Sequence, residues 1–190
     1  EVYGNMNDYG IESSSYNPST PYAASRASGD LISKMWGIEH NIPMVTTRAS
    51  SIYCEGQHLY RIIPRSLLCA LKQIPLKVDG IGDVKRQYLH MEDISVAILK
   101  IIETLSLKQN KYYEEYHIGS DKLVSINEII EMSALISDQD IDKMPIRYGD
   151  PRKGSDMQYL LDSKKLKQLG WKEKITLQIG LTRVRDWITS

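Results

Sequence analysis

The chain has 190 residues, long enough for one domain with a sizeable core. Its 24 basic and 24 acidic residues cancel, which leaves no electrostatic footprint for nucleic acid or an anionic membrane surface. The longest apolar runs fall far short of a membrane span and no signal-peptide pattern opens the chain. Two cysteines, Cys54 and Cys69, form neither a disulfide framework nor a zinc site of the usual spacing, so a reduced, cytoplasmic setting is expected.

In chain order, residues 5–20 are rich in Asn, Ser, Gly, Asp and Pro and read as a loop. Ser19 or Thr20 then offers a helix N-cap and Pro21 suits the first helical position. The helix is expected to run to about His40, with Ala23, Ala27, Leu31 and Met35 at four-residue spacing. Pro43–Arg48 (PMVTTR) reads as a short buried strand. Arg61–Gln73 reads as a helix entered through Pro64. LKV and RQYLH read as short strands on either side of the Gly-rich turn DGIGDVK. Met91–Ser106 has apolar residues at helical period, with Glu92 and Asp93 at its N-terminal end, where the helix dipole favours them. EEYHIGS reads as a strand and turn. Ser125 and Glu128 make a capping-box signature for the next helix. PIRYG is a short strand, and DSKKLKQLGW is a short helix with Asp162 or Ser163 as cap and Gly170 as stop. TLQIGLTRVRDWI reads as an amphipathic helix. Strands alternating with helices point to an α/β fold.

Tyr22 and Arg26 carry the clearest hint of chemistry. Residues i and i+4 share a helix face, with Cβ atoms about 5–6 Å apart. A cation fixed beside a phenol favours the phenolate. Such a tyrosine can exchange a proton with an alcohol hydroxyl as hydride leaves or arrives. The alternative for this pair is ordinary helix surface. His40, His58, His90 and His117 show no metal-ligand spacing and read as structural or exposed, so no metal is expected. No G-x-S-x-G elbow accompanies the serines near Tyr22. Tyr53 and Tyr159 read as core or pocket wall.

Seven stretches occur in one order and spacing: EVYG, YNPSTPYAASRASGDL, IPMVTTRASSIY, RIIP, GIGDVKRQYLHMED, YHIGS and DPRKGSDMQYLLDSKKLKQLGW. Together they resemble the extended short-chain dehydrogenase/reductase superfamily in its nucleotide-sugar branch, with the dTDP-glucose 4,6-dehydratases as the nearest family. The resemblance implies the later part of a Rossmann-like NAD-binding fold plus a small C-terminal sugar-nucleotide domain. Residues 1–50 would belong to the first and 51–190 mostly to the second, with Met91–Ser106 and the adjacent strand open to returning to the first. The G-x-x-G-x-x-G turn that holds the cofactor pyrophosphate does not occur in the sequence, and DGIGD lacks the strand–turn–helix context to replace it. By family proportion, roughly 130 residues of an enzyme of this kind would lie ahead of Glu1.

The resemblance also implies roles. Glu1 takes the position of the glutamate base that removes a proton from C5 of a 4-keto sugar, with its acid partner one residue earlier. Tyr22 matches the catalytic tyrosine. Arg26 stands where the family has a lysine that bonds the nicotinamide ribose, so Tyr22 and Arg26 are candidates for both catalysis and cofactor binding. Arginine keeps the charge but imposes a larger planar fork. In ASSIYCEGQ, Ser51 and Ile52 replace two asparagines, the first on the sugar nucleotide and the second near the cofactor, and Cys54–Glu55 replace Gly-Pro. Arg61, with Ile62 beside it, occupies the lysine position of a K-L-I-P motif. Leu76, Lys77 and Val78 would line the nucleotide base. Arg86 and Arg152 match arginines that reach the diphosphate, with Ser155 in place of a histidine. Three separated cations suit a diphosphate, since arginine gives bidentate, charge-assisted bonds.

The expected activity is that of an NAD-dependent nucleotide-sugar 4,6-dehydratase acting on a dTDP- or UDP-hexose, and the resemblance implies a homodimer through a helix bundle that includes the tyrosine helix. An epimerase or decarboxylase of the same superfamily, or a non-catalytic sugar-nucleotide-binding remnant, are the alternatives.

Overall fold

The computed structural model describes residues 1–6, 8–106, 112–151, 157–158 and 160–190. Its first helix, α1 (Pro21–Glu39), starts where the sequence places it: the Thr20 hydroxyl accepts from the Ala23 amide at 3.1 Å and proline fills the first helical position. Ala23 and Ala27 are buried, but Leu31 and Met35 are about half exposed. A strict four-residue repeat drifts about 40° per step around a 3.6-residue helix, so that row leaves the buried face after two turns.

The remaining elements, in chain order, are β1 (Met44–Ala49), β2 (Ser51–Tyr53), α2 (Ile62–Lys72), β3 (Leu76–Val78), β4 (Lys85–Arg86), β5 (Tyr88–His90), α3 (Met91–Ser106), β6 (Tyr113–Ile118), β7 (Val124–Ser125), α4 (Ile126–Ile136), β8 (Ile146–Tyr148), α5 (Lys164–Lys167) and α6 (Leu177–Thr189). β1 pairs in parallel with β6, from Met44 opposite Tyr113 to Ala49 opposite Ile118. β2 pairs in parallel with β5. One extended run serves both ladders: the Ser50 amide donates to Ile118 and the next amide, Ser51, to Gln87, each at 2.9 Å. β3 pairs in parallel with β8, and β4 pairs antiparallel with β7. Parallel strands separated by helices are the α/β arrangement expected from the sequence.

Three apolar clusters form the core. Leu89, Ile94, Ala97, Ile101, Tyr116, Ile118, Leu166 and Trp171 join α3 to β5, β6 and α5. Tyr53, Ile63, Leu67, Ile129, Leu181 and Val184 join α2, α4 and α6. Ala70, Leu76, Val78, Ile130 and Ala134 seat β3 on α2 and α4. The helix α2 begins at Ile62, so Pro64 is its third residue and not its entry; a first-turn amide has no intrahelical acceptor, and proline there costs nothing. The expected strand RQYLH divides at Gln87, and the strand Ser51–Tyr53 was not legible in the sequence, since three residues carry too little alternation to read. Gly82, in the Gly-rich turn, has φ +79°, a left-handed conformation that favours glycine, and a Cβ there would run into the Asn127 side-chain amide. Among the described residues, no helix is long and apolar enough to cross a membrane.

Candidate active site

Tyr22 and Arg26 lie one turn apart on the outer side of α1. Tyr22 is 63% exposed and Arg26 is also exposed, while Ala23 and Ala27, one position on from each, are the residues that pack inward. The small inward residues hold the helix close to its neighbours and leave the phenol and guanidinium facing outward together. Glu1 is exposed at the start of a turn in which its carbonyl accepts from the Gly4 amide at 3.0 Å. The donor set of Tyr22 and Arg26, a phenol and a guanidinium, fits the hydroxyls of a nicotinamide ribose. Ile52, whose exposed side chain can make only apolar contact, offers no hydrogen bond, though its carbonyl accepts from Gln57 Nε2 at 2.9 Å.

The candidate substrate residues sit on separate elements. Ser51 opens β2. Arg61 is the N-cap of α2, with its guanidinium 5.6 Å from the centre of the Tyr60 ring, and Ile62 packs at the edge of the second apolar cluster. Leu76 and Val78 turn their side chains into the core and Lys77 is exposed, as strand alternation demands. A base lying against β3 would therefore meet backbone and Lys77, not the two apolar side chains. Arg86 ends β4, and its Nη1 donates to the carbonyls of Lys85 at 2.8 Å and Met157 at 3.1 Å. Arg152, Ser155 and Tyr159 lie outside the described residues. Tyr53 is core, 1% exposed, with the His90 ring edge-on at 5.3 Å. Among the described residues, no group of His, Cys, Asp or Glu is arranged to hold a metal ion.

A buried polar network that sequence reasoning missed lies behind this face. Arg48 in β1 is 9% exposed. Its Nε donates to Asp30 of α1 at 2.8 Å, and its Nη1 to Tyr3 Oη at 2.9 Å and to Glu115 of β6 at 3.2 Å. Its Nη2 donates to Tyr16 Oη. Burial alone would disfavour the guanidinium charge; Tyr3, Glu115 and Asp30 outweigh that and hold Arg48 above its ordinary value. Tyr3 is pushed up by burial, against the pull of Arg48, so it stays a neutral phenol. Beyond it, Tyr3 Oη meets His117 Nε2 at 2.8 Å, and His117 Nδ1 meets the Gly10 carbonyl at 3.1 Å. A carbonyl only accepts, so Nδ1 carries the proton, Nε2 accepts, and the Tyr3 hydroxyl donates to it. Burial holds His117 below its usual range, with Glu12 opposing and Arg48 reinforcing. A charged residue at the end of a β-branched strand and a tyrosine-rich loop were the only signals in the sequence; neither says that they meet.

Two further arrangements position the chain. Gln87, fully buried, donates from Nε2 to the carbonyls of Ser120 and Leu161 and accepts from the Leu161 amide at 2.9 Å, which ties the segment between β4 and β5 to two other loops. His90 Nδ1 accepts from the Glu92 amide at 3.3 Å and its Nε2 lies 3.0 Å from Glu55. Burial raises Glu55, but its backbone hydrogen bond and His90 outweigh it and hold the carboxyl below its usual range.

The family model described as "NAD dependent epimerase/dehydratase family" matches residues 1–119. A trifunctional UDP-glucose 4,6-dehydratase/UDP-4-keto-6-deoxy-D-glucose 3,5-epimerase/UDP-4-keto-L-rhamnose-reductase of Arabidopsis thaliana is 30% identical over 193 residues, covering all of this chain and 28% of that protein. The crystal structure of DesIV, a dTDP-glucose 4,6-dehydratase from Streptomyces venezuelae with NAD and TYD bound, superposes with a TM-score of 0.87 at 28% identity, over all of this chain and 57% of that one. A UDP-glucuronic acid 4-epimerase mutant from Bacillus cereus, in complex with UDP-4-deoxy-4-fluoro-glucuronic acid and NAD, shares the fold with a TM-score of 0.89 at 24% identity, over 99% of this chain and 58% of that one. The chain thus spans little more than half of these solved structures, and about a quarter of the plant protein.

Proposed function

Starting from a chain that belongs to the NAD-dependent epimerase/dehydratase family, we propose that it is the tyrosine-helix and substrate-binding part of a nucleotide-sugar 4,6-dehydratase. The observation that carries this reading is the placement of Tyr22 and Arg26 together on the outward face of α1, with Ala23 and Ala27 packed beneath them. Residues 1–50 supply the catalytic edge of the cofactor domain. Residues 51–190 mostly supply the sugar-nucleotide domain, with α3 packed on β6 as a return to the first.

NAD, when bound, would supply the hydride acceptor for C4 of the sugar and the hydride donor for C6. The chain's own part is proton handling and positioning. Tyr22 receives the proton of the C4 hydroxyl, and Arg26 keeps positive charge beside the phenol and donates to the ribose hydroxyls. Glu1 removes the C5 proton next to the new ketone, where that proton is acidic, and the C6 hydroxyl leaves as water with a proton from an acid that the family pattern puts one residue ahead of Glu1; Glu1 then returns a proton to C5 as hydride reaches C6, which completes the 4-keto-6-deoxy product. Arg61, Arg86 and Arg152 neutralise the diphosphate. Ser51 and Ser155 touch the sugar nucleotide, Ile52 adds apolar contact near the nicotinamide, and Ile62 and Leu76–Val78 border the base. The hexose is carried on dTDP or UDP, and a second copy covers the exposed apolar side of α1, where Ile32, Met35 and Trp36 stand clear of the core. The setting is cytoplasmic.

The test is conversion of dTDP-glucose and UDP-glucose by the full-length protein, followed by the absorbance of the 4-keto sugar in alkali. Product that is lost in Tyr22→Phe supports the reading. A product epimerised at C4 with its 6-hydroxyl intact would replace it with the epimerase reading. Arg26 at a lysine position and Ile52 at an asparagine position favour a second reading, a sugar-nucleotide-binding protein without turnover; tight dTDP or UDP binding with no product would establish that instead.

A further inference from the structure

We infer that Arg48 is a positioning residue that sets the Glu1 segment against the tyrosine helix; the inference rests on the roles proposed above for Glu1 and Tyr22. A single guanidinium uses four of its five N–H groups to join four separate pieces of chain to its own strand β1. Tyr3, two residues from Glu1, accepts at 2.9 Å. Asp30, two helical turns beyond Tyr22 and one beyond Arg26, accepts at 2.8 Å. Tyr16, from the loop that leads into α1, accepts from Nη2, and Glu115 on β6 accepts at 3.2 Å. The rings of Tyr3 and Tyr16 stack with centres 6.0 Å apart and planes 18° apart. The same small region thus fixes both ends of the proposed chemistry.

A buried ion network of this kind is poor stabiliser material. Replacing buried ion pairs by well-packed apolar groups is often neutral or favourable. What the planar fork supplies is direction: each N–H points along a fixed line, so Tyr3 and Asp30 are held at set positions relative to one another. The Tyr3 hydroxyl has no freedom left. It accepts from Arg48 and donates to His117 Nε2 at 2.8 Å, whose tautomer is fixed by the Gly10 carbonyl. From Tyr3 the path to Glu1 is one tight turn, closed by the Gly4 amide on the Glu1 carbonyl, while the Asn17 amide bonds the Val2 carbonyl at 3.0 Å. A shift of about 1 Å in a reacting group can cost on the order of a hundredfold in rate, so the anchor acts on the chemistry without touching substrate.

The experiment loosens the two arms separately in the full-length protein. Tyr3→Phe removes the hydroxyl that ties the Glu1 segment and keeps the ring; Asp30→Asn weakens the hold on α1. Two readouts are taken: amide hydrogen exchange at Gly4 and Asn17, and, with sugar nucleotide, deuterium wash-in at C5 against the rate of C4 oxidation. In Tyr3→Phe we expect Gly4 and Asn17 to exchange about tenfold faster and C5 wash-in to fall about tenfold more than C4 oxidation. In Asp30→Asn the order reverses, with C4 oxidation the more affected step. Equal loss of both steps in both variants, in proportion to a lowered Tm, would overturn the inference and leave Arg48 a purely structural group. If the parent shows no C5 exchange at all, the dehydratase roles fail and the amides alone decide: unchanged protection in Tyr3→Phe overturns the anchor, and selective loss at Gly4 and Asn17 sustains it.

Discussion

At the scale of single residues, Arg26, one turn from Tyr22 and proposed here to stand at a lysine position of the family, is the residue most open to test. A lysine offers a compact ammonium on a flexible stem, whereas a guanidinium needs room for its plane. Both are charged, so the loss is one of placement. Arg26→Lys is therefore expected to raise the rate of 4-keto sugar formation in the full-length protein by up to about a hundredfold, and Tyr22→Phe to lower it by about 10²–10⁴. Equal turnover in parent and both variants would return the pair to ordinary helix surface. Arg86 allows a second residue-scale test. Its Nη1 already bonds the Lys85 and Met157 carbonyls, which aims the guanidinium. Arg86→Ala should weaken dTDP or UDP binding by about 1.5–3 kcal/mol, the usual worth of a hydrogen bond to a charged group, as read by calorimetry.

At the scale of elements, the start of α4 shows how closely local sequence can dictate local structure. Ser125 Oγ accepts from the Glu128 amide at 3.1 Å, and the Glu128 carboxylate accepts from the Ser125 amide at 2.7 Å, which is a complete capping box. The two hydrogen bonds from Ser125, backbone first, hold the Glu128 carboxyl below its usual range. A carboxyl with a depressed folded value stabilises the fold above its unfolded value and loses that contribution as pH falls through the folded one. Ser125→Ala should cost about 1 kcal/mol of stability, and the difference from the parent should begin to shrink as pH falls through the ordinary glutamate range and be lost as it passes below the depressed folded value. β7 and α4 also border the Gly-rich turn. Asn127 donates to the Ile81 carbonyl at 3.0 Å. Gly82→Ala would strain a left-handed backbone and push on Asn127, so β4 and Arg86 should shift with it.

At the scale of the molecule, His117 couples pH to the packing of the whole N-terminal loop. It is fully buried, neutral, and bonded through both ring nitrogens. Its folded value lies below the ordinary histidine range. The unfolded chain therefore binds a proton that the folded chain refuses, beginning near pH 6.5, and stability should fall as pH drops from there towards the folded value. Urea unfolding followed between about pH 7.5 and 5 should show this loss, and His117→Gln should flatten it. Ligand binding gives another whole-molecule test. The sequence carries no Gly-rich turn for a pyrophosphate. The 190 residues alone are therefore expected to show no measurable NAD binding in calorimetry, while micromolar binding would place the cofactor site among residues not considered for it.

The sequence by itself determined the α/β class, the family and the elements with strong local signals. α1 announced itself through Thr20 and Pro21, α4 through its capping box, and α3 through its period, because caps and periodicity act over a few residues and need no partner. Tyr22 and Arg26 were legible for the same reason: four-residue spacing puts them on one face whatever surrounds the helix. Tertiary structure decided what no local pattern contains. Leu31 and Met35 were left outside because burial depends on what a helix meets. Ser51–Tyr53 became a strand because Tyr88–His90 lies alongside it. Arg48 became the centre of a buried network because Tyr3, Tyr16, Asp30 and Glu115 arrive there from four places along the chain. A desolvated charge is tolerated only where its partners converge, and convergence is a property of the folded chain, absent from any stretch read alone.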